Sequence, residues 1–183
     1  RTIAQRALTY RGEHLEAARS YGEVAFGGAM PKNGADSPWD GETPVSIPGT
    51  GFAIKGYIDR LDISGDGTHA IVRDYKTGRP PKDNIGIDGG RELQRCLYAF
   101  AVKALLGADV SISASLFYPR AEVDLQLADP EATLGELTGY LRSASTNLSA
   151  GHALIGPDTG GTYDDLAFAL PANAGATYCK RKT

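Results

Sequence analysis

The feature that most constrains this chain is a pair of β-prone runs, residues 52–63 and 69–76, separated by Ser64-Gly65-Asp66-Gly67. That tetrapeptide carries hairpin-turn chemistry, so the two runs are expected to be antiparallel neighbours. A Pro- and Gly-rich loop over 77–90 follows. Leu93, Leu97, Phe100, Ala101, Ala104 and Leu105 then recur at helical spacing and predict a helix over 91–106. Residues 111–118 and 122–127 alternate like paired strands, and Pro130 opens a second helix running to about Leu148, a role that suits proline in a first turn. Upstream, Ile3, Ala7, Leu8, Leu15 and Ala18 predict an N-terminal helix within residues 1–20. Residues 21–26 read as a short strand, and 27–51 as a loop in which only 43–47 resembles a strand. The expected organisation is one domain over 1–183, with that helix, a core over 21–150 and an irregular tail over 151–183.

With 183 residues, 42% of them hydrophobic, the chain can bury one sizeable core. The longest apolar stretch, residues 97–106, is interrupted by Lys103 and falls well short of the roughly 18 to 20 residues of a membrane span, so no membrane insertion is expected. Two cysteines, Cys96 and Cys179, cannot make a disulfide scaffold, and no basic-then-apolar leader opens the sequence. The expected setting is intracellular, reduced and cytoplasmic. Because the sequence starts at Arg1 in what already reads as helix, it is expected to be a segment of a longer protein.

The net charge of −3 argues against a uniformly basic, nucleic-acid-coating surface. Between Arg73 and Lys103, however, seven basic residues face four acidic ones, a local +3 that leaves −6 for the remainder. Such a basic stripe fits a local anionic ligand.

Three segments carry the candidate chemistry: Gly56-Tyr57-Ile58-Asp59-Arg60-Leu61-Asp62, Asp74-Tyr75-Lys76-Thr77-Gly78, and Gln94 with Tyr98. The hairpin brings Asp59 and Asp74 toward one another, and two carboxylates at strand ends can hold a hard divalent cation, with the Tyr75 carbonyl as a further oxygen ligand. Period-2 alternation places Asp74 and Lys76 on one face, where the ammonium can orient water and offset charge at a phosphate. Gln94 and Tyr98, four apart, share a helix face that can project over the same place. Arg91 and Arg95 repeat that spacing and are candidate phosphate contacts.

Together these motifs resemble the RecB-like branch of the PD-(D/E)XK nuclease superfamily, in particular the nuclease domain of AddB-type helicase–nuclease subunits. The resemblance spans about residues 52–101, with weaker similarity in Glu23-Val24-Ala25-Phe26-Gly27. It implies an α/β restriction-endonuclease-like core, a mixed central β-sheet flanked by helices. It also implies Mg2+- or Mn2+-dependent exonucleolytic cleavage of DNA in double-strand-break processing, with a helicase subunit or domain as partner. By the same resemblance Asp59 and Asp74 would be metal ligands, Lys76 the catalytic lysine, and Gln94 and Tyr98 would position the substrate strand.

The sequence also departs from that family. An upstream His or Glu ligand is expected there, and Glu13, His14, Glu16 and Glu23 are the available residues, none in the expected motif. Cys179 resembles a remnant of a C-terminal cluster motif, but its neighbours are missing, so no iron–sulfur cluster is expected; Cys96 reads as a small core residue. An EF-hand-like start at Asp62 fails because its twelfth position is Arg73. No phosphate-binding Gly-x-x-x-x-Gly-Lys motif occurs, so an ATP-driven motor would lie on another chain or segment. The alternative reading is a catalytically silent nuclease-fold module that binds DNA or docks a partner.

Overall fold

The computed structural model describes residues 2–10, 14–32, 34–84, 86–87, 92–152, 176 and 180. The chain divides into two compact units, 1–142 and 143–183. In the first, β1 (Arg19–Phe26), β4 (Gly56–Ile63), β5 (His69–Tyr75), β6 (Ser111–Tyr118) and β7 (Val123–Gln126) form one sheet in the order β1-β4-β5-β6-β7. The β5–β6 pair is parallel and the other three are antiparallel, so the sheet is mixed. A parallel pair needs a long crossover, which α2 (Gln94–Leu106) supplies. α3 (Pro130–Ser149) follows β7 and runs on into the second unit, whose described part also includes the His152 N–H donating to the Asn147 carbonyl at 2.7 Å. The expected α/β class, a mixed sheet with helices, is what the chain adopts.

The sequence explains most element ends. Ser64 Oγ donates to Asp66 Oδ1, which also accepts from the Thr68 N–H, closing the β4–β5 hairpin with side-chain turn bonds. α2 stops where Gly107, at φ 117°, donates its N–H to the Lys103 carbonyl. Asp129 Oδ1 accepts from the Ala132 N–H at the start of α3. α2 buries Cys96, Ala99, Ala101 and Val102 against Val24, Phe26, Ile58, Leu61, Ala70, Val72 and Ala114 of the sheet. Each fully buried aliphatic side chain there contributes roughly 1.5–3 kcal/mol.

Two expected elements differ. The N-terminal helix, α1, covers only Ile3–Thr9, with a capping box in which Thr2 and Gln5 exchange side-chain-to-backbone bonds. Beyond it Tyr10 is extended and stacks on Phe117 at 4.1 Å, while Arg19 and Ser20 pair with Ile63 and Asp62 as strand. Sheet pairing and an aromatic contact from distant sequence override the helical pattern of residues 14–20. The expected strand 52–63 is also broken. β2 (Val45–Ser46) and β3 (Ala53–Ile54) make a separate hairpin, and β4 begins after Lys55. Gly27 permits this break: a β-carbon there would sit 2.1 Å from the Ile54 carbonyl oxygen, at φ 68°.

Candidate active site at the β5–α2 junction

The last ladder pair of the β4–β5 hairpin is Arg60 with Arg73, and the next residues on each strand are Asp59 and Asp74. Beyond that pair the ladder gives way to a side chain: Asp59 Oδ2 accepts the Tyr75 N–H at 2.8 Å. The Lys76 N–H still donates to the Phe117 carbonyl at 2.9 Å, so β5 stays tied to β6 past its formal end. This fixes Asp74 and Lys76 two residues apart on a braced strand end, with their side chains together. Lys76 Nζ lies 2.6 Å from Asp74 Oδ2. Tyr75 turns the other way, its ring edge-on to Phe117 at 6.1 Å.

From Lys76 the polar chain crosses to the first turn of α2. The ammonium donates to Gln94 Oε1, and Gln94 Nε2 donates to the Tyr98 hydroxyl at 3.2 Å. Phe26 supports the Tyr98 ring edge-to-face at 5.9 Å. Asp74, Lys76, Gln94 and Tyr98 are therefore joined in one line, with Asp59 beside it.

Asp74 is only 5% exposed, and burial raises its pKa above the ordinary carboxylate value, against the pull of Lys76; the Asp59 and Glu92 charges add to the rise. Asp74 Oδ2 accepts no hydrogen bond of good geometry despite the ion pair. Burial likewise raises the Tyr98 hydroxyl, partly offset by Gln94, with Asp74 and Asp59 contributing, so the phenol stays protonated. Two carboxylates on neighbouring strand ends, one of them buried, are a donor set that a hard cation fits. Among the described residues no group of three or more His, Cys, Asp or Glu side chains could hold a metal.

Of the two arginines read as phosphate contacts, Arg95 is taken up within the protein. Arg95 is 2% exposed: its Nε donates to Glu92 Oε2 at 2.7 Å, and one terminal nitrogen donates to Asn84 Oδ1 and to the Leu125 carbonyl. Its guanidinium binds α2 to the preceding loop and to β7. Arg73 is also buried, against Asp62, and Lys103 pairs with Glu131. Among the described residues the local +3 is thus partly internal. Arg91 lies outside the described residues, as do Glu13 and Cys179. His14 and Glu16 are exposed, and Glu23 pairs with Lys32 at 2.9 Å. Cys96 is fully buried, its thiol pushed up to about 11, first by burial and then by Glu92.

Sequence reasoning missed Glu92, whose charge acts on Asp74, and Lys32, on which Asp59 acts. The Glu92-x-x-Arg95 spacing could have revealed the first as half of a pair. Nothing local marks Lys32.

No helix among the described residues is long and apolar enough to cross a membrane. A comparison with curated proteins finds no match. A family model described as the PD-(D/E)XK nuclease superfamily matches residues 1–180. The motif order, the mixed sheet and the strand-end carboxylates beside a lysine agree with that match over nearly the whole length, and the chain belongs to the PD-(D/E)XK nuclease superfamily.

Proposed function

We propose that this chain is a metal-dependent DNA exonuclease domain of the RecB/AddB type, hydrolysing phosphodiesters in DNA repair or recombination, in the cytoplasm and beside a helicase subunit or domain. The observation that carries the reading is the line from Asp74 through Lys76 and Gln94 to Tyr98, with Asp59 alongside. Asp59, Asp74 and the Tyr75 carbonyl would hold a Mg2+ or Mn2+ ion. Such an ion makes water a competent nucleophile near neutral pH and offsets charge on the phosphoryl group.

The protein's own groups account for the rest. Lys76 stands where its ammonium orients the attacking water and balances negative charge developing on a phosphoryl oxygen. Gln94 holds that ammonium in place, so the lysine need not be ordered when substrate arrives. Tyr98, kept protonated, is a hydrogen-bond donor for the strand being cut.

Release of nucleotides from end-labelled single- and double-stranded DNA, with magnesium, manganese or chelator and with Lys76→Ala alongside, tests the proposal. Metal-dependent release that the substitution abolishes supports it; release by Lys76→Ala at the wild-type rate overturns the site. A second reading, a silent nuclease-fold module, is favoured by the absence of a third metal-ligating side chain among the described residues. It predicts no release and no calorimetric Mn2+ binding that Asp74→Asn removes.

A further inference from the structure

A phosphodiester that reaches Asp59 and Asp74 brings negative charge against two carboxylates. Lys76 is already engaged there by Asp74 and Gln94. The Asp59 side of the site has a second amine. Lys32, on the segment between β1 and β2, places Nζ 2.9 Å from Glu23 Oε2 and 4.1 Å from the centroid of the Tyr57 ring. Tyr57 is two residues before Asp59, and its hydroxyl donates to the Met30 carbonyl at 2.8 Å, tying the ring to the segment that carries Lys32.

Glu23 falls between the ladder pairs Gly22 with Arg60 and Val24 with Ile58, and so lies across from Asp59. A β-carbon on the neighbouring Gly22 would be 3.8 Å from the Asp59 carbonyl oxygen. Glu23 has φ 52°, a conformation that non-glycine residues adopt in strands only under constraint and that clusters at functional positions. The Glu23 hydrogen bond raises the Lys32 pKa, with smaller contributions from Tyr57 and Asp59, so the amine is charged.

The two side chains of this pair are 49% and 50% exposed. An ion pair so open to water holds its partners weakly, and exchanging a carboxylate oxygen for a phosphate oxygen costs little. The Tyr57 face keeps the ammonium seated in either state. We propose that Lys32 is a substrate-positioning residue whose ammonium, latched by Glu23 in the free protein, contacts a backbone phosphate of the nucleic-acid strand on the Asp59 side of the site. This inference rests on the nuclease reading above.

Fluorescence anisotropy with labelled single-stranded oligo(dT), in chelator across a salt series, tests it without requiring cleavage. Lys32→Ala is expected to bind several-fold more weakly and to lower the slope of log affinity against log salt by about 0.7, one phosphate contact on a single strand. Lys32→Arg retains the slope, and Lys103→Ala, a charge loss on the last turn of α2, leaves it unchanged. Glu23→Gln frees the amine and is expected to bind more tightly. A pair that only braced the fold would move the Lys32 and Glu23 variants in the same direction, and that result overturns the proposal. Wild-type affinity and slope in Lys32→Ala, in a protein that binds or cleaves DNA, overturns this inference alone. No binding by the wild type even at low salt, together with no cleavage, overturns both it and the nuclease reading.

Discussion

Asp62 and Asp74 are buried to nearly the same degree, 4% and 5% exposed, each beside basic side chains, yet they are finished differently. Asp62 is saturated. Its Oδ1 accepts from Ser20 Oγ at 2.5 Å and Arg60 Nε at 3.1 Å, and its Oδ2 accepts from Arg60 Nε and an Arg73 terminal nitrogen, each at 2.9 Å. Asp74 has one lysine, 2.6 Å from Oδ2, and that oxygen accepts no well-formed hydrogen bond. Planar guanidinium groups match a carboxylate through paired donors and fix it as a strut across β1, β4 and β5. A lysine is a point charge that leaves lone pairs available. Burial alone therefore does not separate the two carboxylates; the partners of their oxygens do.

The sharpest break of this comparison is catalytic. Asp74→Asn and Lys76→Ala are each expected to cut DNA cleavage by about a thousandfold, with far-UV circular dichroism unchanged, whereas Asp62→Asn should lose activity only as far as it loses fold. The reverse holds for stability. Asp62→Ala strands Arg60 and Arg73 around an empty buried position and should cost about 3 kcal/mol in urea unfolding; a loss no larger than that of Asp74→Ala would end the distinction between strut and site.

Arg95 extends the contrast to a third cluster. Arg95→Ala should destabilise by about 2 kcal/mol, because Glu92, Asn84 and the Leu125 carbonyl lose their donor, and the salt slope of DNA binding should not move. Gln94→Ala removes the brace on Lys76 and is expected to lower kcat/KM by about tenfold, equivalent to about 1.4 kcal/mol, with melting little changed.

The smallest effect concerns an exposed carboxylate, Asp66, held down to about 2 by Ser64 Oγ first and then by the Thr68 N–H and hydroxyl. Its folded pKa is depressed, so its contribution to stability is present above the ordinary carboxylate value and is lost as pH falls through the folded value. Asp66→Asn should accordingly be slightly less stable than wild type above a pH of about 4, with the difference closing as pH falls toward about 2.

The parts of the site legible in the sequence are those set by local periodicity. Asp74 and Lys76 lie together because strand side chains alternate, Gln94 and Tyr98 because a helix returns every four residues, and Asp59 approaches Asp74 because Ser64 to Gly67 close a hairpin. The same periodicities misled where partners are remote. Helical spacing in residues 14–20 lost to pairing with β4, and Arg95 shares α2's first turn with Gln94 yet turns inward to Glu92, Asn84 and Leu125.

The sequence by itself determined the order of strands and helices, the hairpin, and the identity and spacing of the carboxylate, lysine, amide and phenol groups, because turns and backbone periods act over a few residues. Only the tertiary structure decided which charges are spent internally. Whether Asp62 or Asp74 finds two guanidinium groups depends on Arg60, Arg73 and Ser20 converging from three strands, and whether Arg95 meets solvent depends on β7, thirty residues further along the chain. Desolvation and partner choice belong to the assembled core, and together they separate the strut from the candidate site.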